Sequence, residues 1–178
     1  NKFLSHIREC DAILHVVRCF ENGNIIHVDG SVDSVRDVET INIELILSDI
    51  EIVDRRIDRT QKAMKSDKTL ASELAFLERL KTHLEEGACA RAMDVTDDEA
   101  AILADMPLLT SKPVIYVANV GEDEAGSEPV GNAQYDGLKA FAESEHSGII
   151  AICAGLEAEI AELDAEEKAV FLEDLGIA

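Results

Sequence analysis

Three short runs, "AILHVVRC" (12–19), "KPVIYVAN" (112–119) and "GIIAIC" (148–153), are almost uninterrupted in apolar residues and rich in β-branched ones. That texture is the pattern of strands covered on both faces, as in the parallel sheets of α/β proteins. The second and third runs are joined by "NAQYDGLKAFAESEH", which sets Tyr135, Leu138, Phe141 and Ala142 on one helical face. Strand, helix and strand in that order predict a β-α-β unit with parallel strands and a right-handed crossover.

Between the first run and the second the texture changes. From Val35 to about Lys65, the residues Ile46, Ile50, Val53, Ile57 and Met64 step by 4, 3, 4 and 7, a helical seam with one polar interruption at Thr60. "KSDKT" breaks the seam and Leu70, Leu74, Leu77, Leu80 and Leu84 resume it, so two long antiparallel helices joined by a short turn are expected. Gly87 is placed to stop the second helix. Thr96 and Glu99 form a capping box for a short third one, which Pro107 ends. The expected fold class is α/β, with three parallel strands and their helices in residues 1–22 and 108–178 and an inserted helical, coiled-coil-like hairpin in 23–107. The closing stretch "LEAEIAELDAEEKAVFLEDLG" is expected as one helical element with Leu156, Ile160, Leu163, Phe171 and Leu172 on its apolar side.

Composition excludes several roles. A net charge of -21 argues against nonspecific binding to nucleic acid or anionic membrane by the surface as a whole, because phosphate affinity comes from basic residues. Only a local basic patch supports such a role. No apolar run approaches the roughly 20 residues that span a bilayer. Cys10, Cys19, Cys89 and Cys153 lie far apart, with no C-x-x-C pair and no neighbouring His cluster, which suggests neither zinc nor a disulfide framework. Reduced thiols in a cytoplasmic protein are the simplest reading. The start, "NKFLSHIREC", has neither an initiator Met nor a signal-peptide pattern and reads as the interior of a longer protein.

Open α/β sheets bind ligands beyond the carboxyl ends of their strands. Two features fall there, "NVGE" (Asn119, Val120, Gly121, Glu122) and "CAG" (Cys153, Ala154, Gly155). Taken alone, an Asn-x-x-Glu after a strand is usually a turn carrying an exposed acid. In guanine-nucleotide-binding P-loop proteins one strand ends in Asn-Lys-x-Asp and the next in Ser-Ala-Lys. Segment 113–155 resembles that pair, with Val120 in the place of Lys, Glu122 of Asp, Cys153 of Ser and Gly155 of Lys. With "NKFLSHIRECDAILHVVRCFE", "NIIHVDGSVDSVRDVETINIELILSDIE", "KPVIYVANVGE" and "ICAGLEAEIAEL", the chain resembles the Obg-like ATPases of the YchF (EngD) type. In that family the base-reading motif is Asn-x-x-Glu and a helical domain is inserted just before it. Ser34 stands where the family usually has Pro, and Gly155 where it usually has Lys, which removes a side chain that packs near the base.

The resemblance implies part of a Ras-like P-loop NTPase domain and a nucleotide ligand read by Asn119, Val120, Gly121 and Glu122, with Cys153, Ala154 and Gly155 beside them. An Asp in the guanine-specific motif accepts from guanine N1–H and the exocyclic amine. Glu122 moves the carboxylate out by about one C–C bond, ~1.5 Å, and Val120 offers only apolar surface. An unmatched buried polar pair costs about 1–3 kcal/mol, so ATP is the expected ligand and GTP the second candidate. No G-x-x-x-x-G-K-[S/T] phosphate loop occurs. The resemblance places that loop and the Mg2+ ligands before Asn1 and a TGS domain after residue 178, so these residues are expected to hold no catalytic or metal-binding side chain and not to hydrolyse ATP alone.

Other residues have plainer readings. His15 reads as a core histidine, and His6 and His27 have no evident partner. Cys19 and Cys153 read as small buried hydrophobes, Cys153 being open to oxidation if it lies near the base. Arg55, Arg59 and Lys62 repeat at helical spacing, with Arg56, Lys65 and Lys68 close by. One reading is a solvated face tied by Glu51–Arg55 and Asp58–Lys62 pairs; the other, implied by the family, is a ribosome or RNA contact. Two function classes stay open: a nucleotide-hydrolysing switch represented by its base-reading half, and a helical protein-interaction module on a platform of strands. The unpaired edge expected on strand 12–19 further predicts self-association.

Overall fold

The computed structural model describes residues 2–21 and 31–174. Residues 22–30, with His27 and most of "NIIHVDGS", lie outside the described residues. The chain divides into two compact units, one of Asn1–Ile13, Val38–Val114 and Glu143–Ser147, the other of Leu14–Asp37, Ile115–Ala142 and Gly148–Ala178.

The first unit is helical. α1 (Lys2–Glu9) lies outside the strand and seam patterns. α2 (Ser34–Ala63) and α3 (Ala71–Glu85) form the antiparallel hairpin, as the pairing of Asp54 with Lys81 at one end and of Thr60 with Glu73 at the other requires. Their seams meet in a core of Ile46, Val53, Phe76, Leu77, Leu80 and Leu84, joined by Cys89, Ala90, Met106 and Leu108. The interruption at Thr60 is buried, and its hydroxyl donates to Glu73 at 3.3 Å, so the polar group sits in the seam without losing its hydrogen bond. Gly87 ends the hairpin at φ +87°, a conformation that favours glycine. The Thr96–Glu99 capping box starts α4 (Asp97–Ala104), and Pro107 follows its end. Asp49, fully buried, accepts from Leu109 N, Thr110 N and Thr110 Oγ1 at 2.7, 2.8 and 2.7 Å, tying α2 to the chain that leads into the second strand.

The sheet has the order β1-β2-β3, from β1 (Ile13–Arg18), β2 (Val114–Asn119) and β3 (Gly148–Ile152). β2 and β3 are parallel, with Ile115 opposite Gly148 and Asn119 opposite Ile152, and α5 (Ala133–Ser144) is the crossover between them. Tyr116, fully buried, meets His15 at 5.6 Å between ring centroids and the edge of Phe141 at 6.0 Å. The expectation of strands covered on both faces is not met. Leu14, Val16, Ile115 and Ile150 are 68, 60, 43 and 50% exposed, because the described residues of this unit pack only the opposite face.

The closing stretch is also not one helix. α6 (Ala154–Glu162) stops and α7 (Ala165–Asp174) starts anew. Asp164 Oδ1 accepts from Glu166 N and Glu167 N at 3.0 and 2.9 Å, while Glu167 Oε2 accepts from Asp164 N at 3.1 Å. That reciprocal cap satisfies donors that a continuous helix would have used otherwise.

Candidate functional site

Asn119 ends β2 and Cys153 follows β3, so the parallel register brings the two loops to the same end of the sheet. Asn119 Oδ1 accepts from Ala154 N at 3.0 Å, and Val120 N donates to the Ile152 carbonyl at 2.8 Å. Asn119, Val120, Gly121, Glu122, Cys153 and Gly155 therefore line one cleft of about 480 Å³. Ala154 is not in the lining; its backbone N–H is taken up by Asn119 Oδ1. Val120 is only 2% exposed, so little of its side chain reaches the space, while Glu122 is exposed.

Two further residues line the cleft, Phe20 and Glu21, just beyond β1. They carry a signal the sequence reading passed over, since β1 must also deliver its carboxyl end here if the sheet is parallel. Arg18 lies 4.9 Å from the Phe20 ring centroid and donates to the Phe20 carbonyl at 3.0 Å. Among the described residues the lining holds two carboxylates, one aromatic ring and no cation. Such a surface repels phosphate and accepts hydrogen bonds from N–H groups on a flat, apolar ligand. Cys19 and Cys153 are both buried. Burial, reinforced by the Glu124 charge and partly offset by a hydrogen bond with Ser34, pushes the Cys19 thiol up to about 12. Among the described residues no three His, Cys, Asp or Glu side chains converge as a metal site, and no helix is long and apolar enough to cross a membrane.

The basic cluster sits in the helical unit. Neither Glu51–Arg55 nor Asp58–Lys62 is an ion pair among the described residues; Arg56 instead takes Glu73 at 2.8 Å and Asp105 at 2.6 Å. Arg56 holds the Asp105 carboxyl below its ordinary range, and Arg59 adds to the effect. Arg55, Arg56 and Arg59 share a second cleft, about 500 Å³, with Arg8, Ile52, Asp105, Met106 and Pro107. Arg8, donating to Ser48 at 3.0 Å, arrives from α1 and could not be placed by helical spacing. Lys62 is exposed but does not line this cleft.

The chain matches no protein-family model. It is 49% identical over 178 residues to a protein of Bacillus subtilis described as "Ribosome-binding ATPase YchF", covering 99% of this chain and 48% of that protein. It is 40% identical to "Obg-like ATPase 1" of Oryza sativa subsp. japonica, covering 100% of this chain and 45% of that one. The solved structure of the Schizosaccharomyces pombe YchF GTPase superposes with a TM-score of 0.81 at 30% identity, over 99% of this chain and 48% of that chain. The chain thus spans about half the length of the relatives it matches, and over that span it is similar to the YchF-type Obg-like proteins in both sequence and fold.

Proposed function

We propose that residues 1–22 and 108–178 form the base-recognising half of a nucleotide-binding domain, with 23–107 a helical insertion, in a cytoplasmic protein that hydrolyses a nucleoside triphosphate and associates with the ribosome. The observation that carries this reading is the Asn119–Ala154 hydrogen bond, which joins the two post-strand loops around one cleft. The charge of that cleft supports a base rather than a phosphate as occupant. Asn119 braces the loop, the backbone of Val120 and Gly121 meets the base edge, and Glu122 accepts from an exocyclic amine. Cys153, Ala154 and Gly155 close the other side. ATP is the ligand favoured, with GTP second, for the reason of carboxylate reach given above. Mg2+ would accompany the phosphates rather than this cleft.

The test is affinity for ATP and GTP in the full-length protein, where ATP should bind at least as tightly. A lysine at Val120 would have to be buried, whereas a Cβ at Gly155 meets nothing within 4 Å. Glu122→Asp combined with Gly155→Lys should therefore move the ATP-to-GTP ratio toward GTP by about tenfold. Failure of the wild type to bind either nucleotide would end this reading and leave the helical interaction module.

For the partner, Arg55 and Arg59 in the arginine-lined cleft, with Lys62 nearby on α2, are the proposed ribosome or RNA contact. Guanidinium forks match phosphate oxygens, and this cleft concentrates them on a chain of net charge -21. Reversing the charge of Arg55, Arg59 and Lys62 should weaken ribosome association more than nucleotide affinity. The apolar, edge-lying β1 is the proposed surface of self-association, most simply a two-fold dimer.

A further inference from the structure

Asn132 precedes α5 and caps it. Its Oδ1 accepts from Gln134 N at 3.1 Å and Tyr135 N at 3.0 Å. Asn, Asp and Ser serve such a cap about equally well. The other end of the carboxamide does what Asp and Ser cannot do there. Nδ2 donates to the Cys19 carbonyl at 2.8 Å and to the two Glu124 carboxylate oxygens at 3.1 and 2.9 Å. A primary amide has two N–H donors and two oxygen lone pairs, and here both ends are engaged.

Each partner of Nδ2 borders the base cleft. Cys19 leads directly into Phe20 and Glu21, and its own N–H donates to the Asn119 carbonyl at 2.8 Å. Glu124 closes the turn after Glu122, with its N–H on the Gly121 carbonyl at 3.1 Å. We infer that Asn132 is a positioning residue for this cleft. It does not line the space, yet it fixes the β1 lip and the Glu122 lip to one rigid point, the start of α5, and so sets their separation and the fit of a base between them. Without the amide, the Glu124 carboxylate and the Cys19 carbonyl would face each other as two acceptors, and the loop would swing outward.

The inference rests on the nucleotide reading, and three variants of the full-length protein test it. Asn132→Asp keeps the cap but sets a carboxylate against Glu124 and the Cys19 carbonyl, so binding of a fluorescent ATP analogue should weaken about tenfold. Glu124→Gln, whose amide oxygen still accepts from Asn132, should lose less than that. In the double variant the new carboxamide donates to the new carboxylate, and most of the loss should be recovered. A helix cap alone predicts equal binding by all three, since each keeps it. Asn132→Asp binding as tightly as wild type, or a double variant no better than Asn132→Asp, would overturn the positioning role while leaving the nucleotide reading standing. A wild type that binds no nucleotide removes both, and is told apart by that first measurement.

Discussion

The helical unit and the sheet unit are built from similar apolar residues, yet they finish differently. In the hairpin the two seams close on each other, and Val53, Leu77 and Leu80 reach 0% exposure. In the sheet one face packs around Tyr116 and Leu138 while Leu14, Val16, Ile115 and Ile150 remain open. The difference teaches how to read an unbroken apolar run: it states that a strand is suited to cover on both faces, not that the described residues supply both covers. A helical seam carries its own partner when a second seam follows it. A strand face does not.

Truncation should break the comparison most sharply. Leu80→Ala removes side-chain atoms from a filled core and should cost about 3 kcal/mol of stability, measured by urea unfolding. Next is Asp49→Asn, expected to cost about 2 kcal/mol near neutral pH, because an amide cannot accept all three hydrogen bonds and turns a donor toward buried N–H groups. Burial raises the Asp49 pKa despite those bonds. The folded state therefore holds this proton at a higher pH than the unfolded chain does, so the stabilising term is complete below the unfolded value and is lost as pH rises through the folded one. The advantage of wild type over Asp49→Asn should accordingly widen as pH falls from neutral toward the usual carboxylate range. An unchanged or narrowing gap would contradict the raised value.

A smaller loss is expected at the other unit's helix start, where Asp164→Ala should cost about 1 kcal/mol and free the first-turn amides of α7 to hydrogen exchange. The least effect on stability belongs to the open face. Val16→Lys, at a position 60% exposed, should change unfolding by under about 0.5 kcal/mol. The same variant should nevertheless reduce light scattering at high concentration if β1 is where copies meet. Equal association by wild type and variant would separate the exposed face from self-association.

Most of the fold was legible because burial imposes its period on the sequence. The hairpin, three strands and the Thr96 box all follow from that. Phe76 stands four residues before Leu80 on the buried seam and was as readable as Leu77, and α1 was readable from Phe3, Leu4 and Ile7 at helical spacing. The α6–α7 break was readable as Asp164 followed three residues later by Glu167, but continuous leucine spacing hid it. At the site, Asn119, Glu122, Cys153 and Gly155 were found because strand ends are marked in sequence. Phe20 and Glu21 were as findable by the same rule. Arg8 and the donor side of Asn132 depend on contacts 40 and 113 residues along the chain, to Ser48 and Cys19, which no local spacing encodes.

The Asp49 carboxylate reaches 60 and 61 residues along the chain to find its partners. Closing a loop of that length costs about 3–4 kcal/mol of chain entropy, so these bonds are expected to form late, after the helices on either side have packed. Interactions absent from the folding transition state govern how slowly a protein opens rather than how quickly it forms. Asp49 is thus a clock for the native lifetime: losing it should leave the refolding rate nearly untouched and shorten the time the helical unit stays closed.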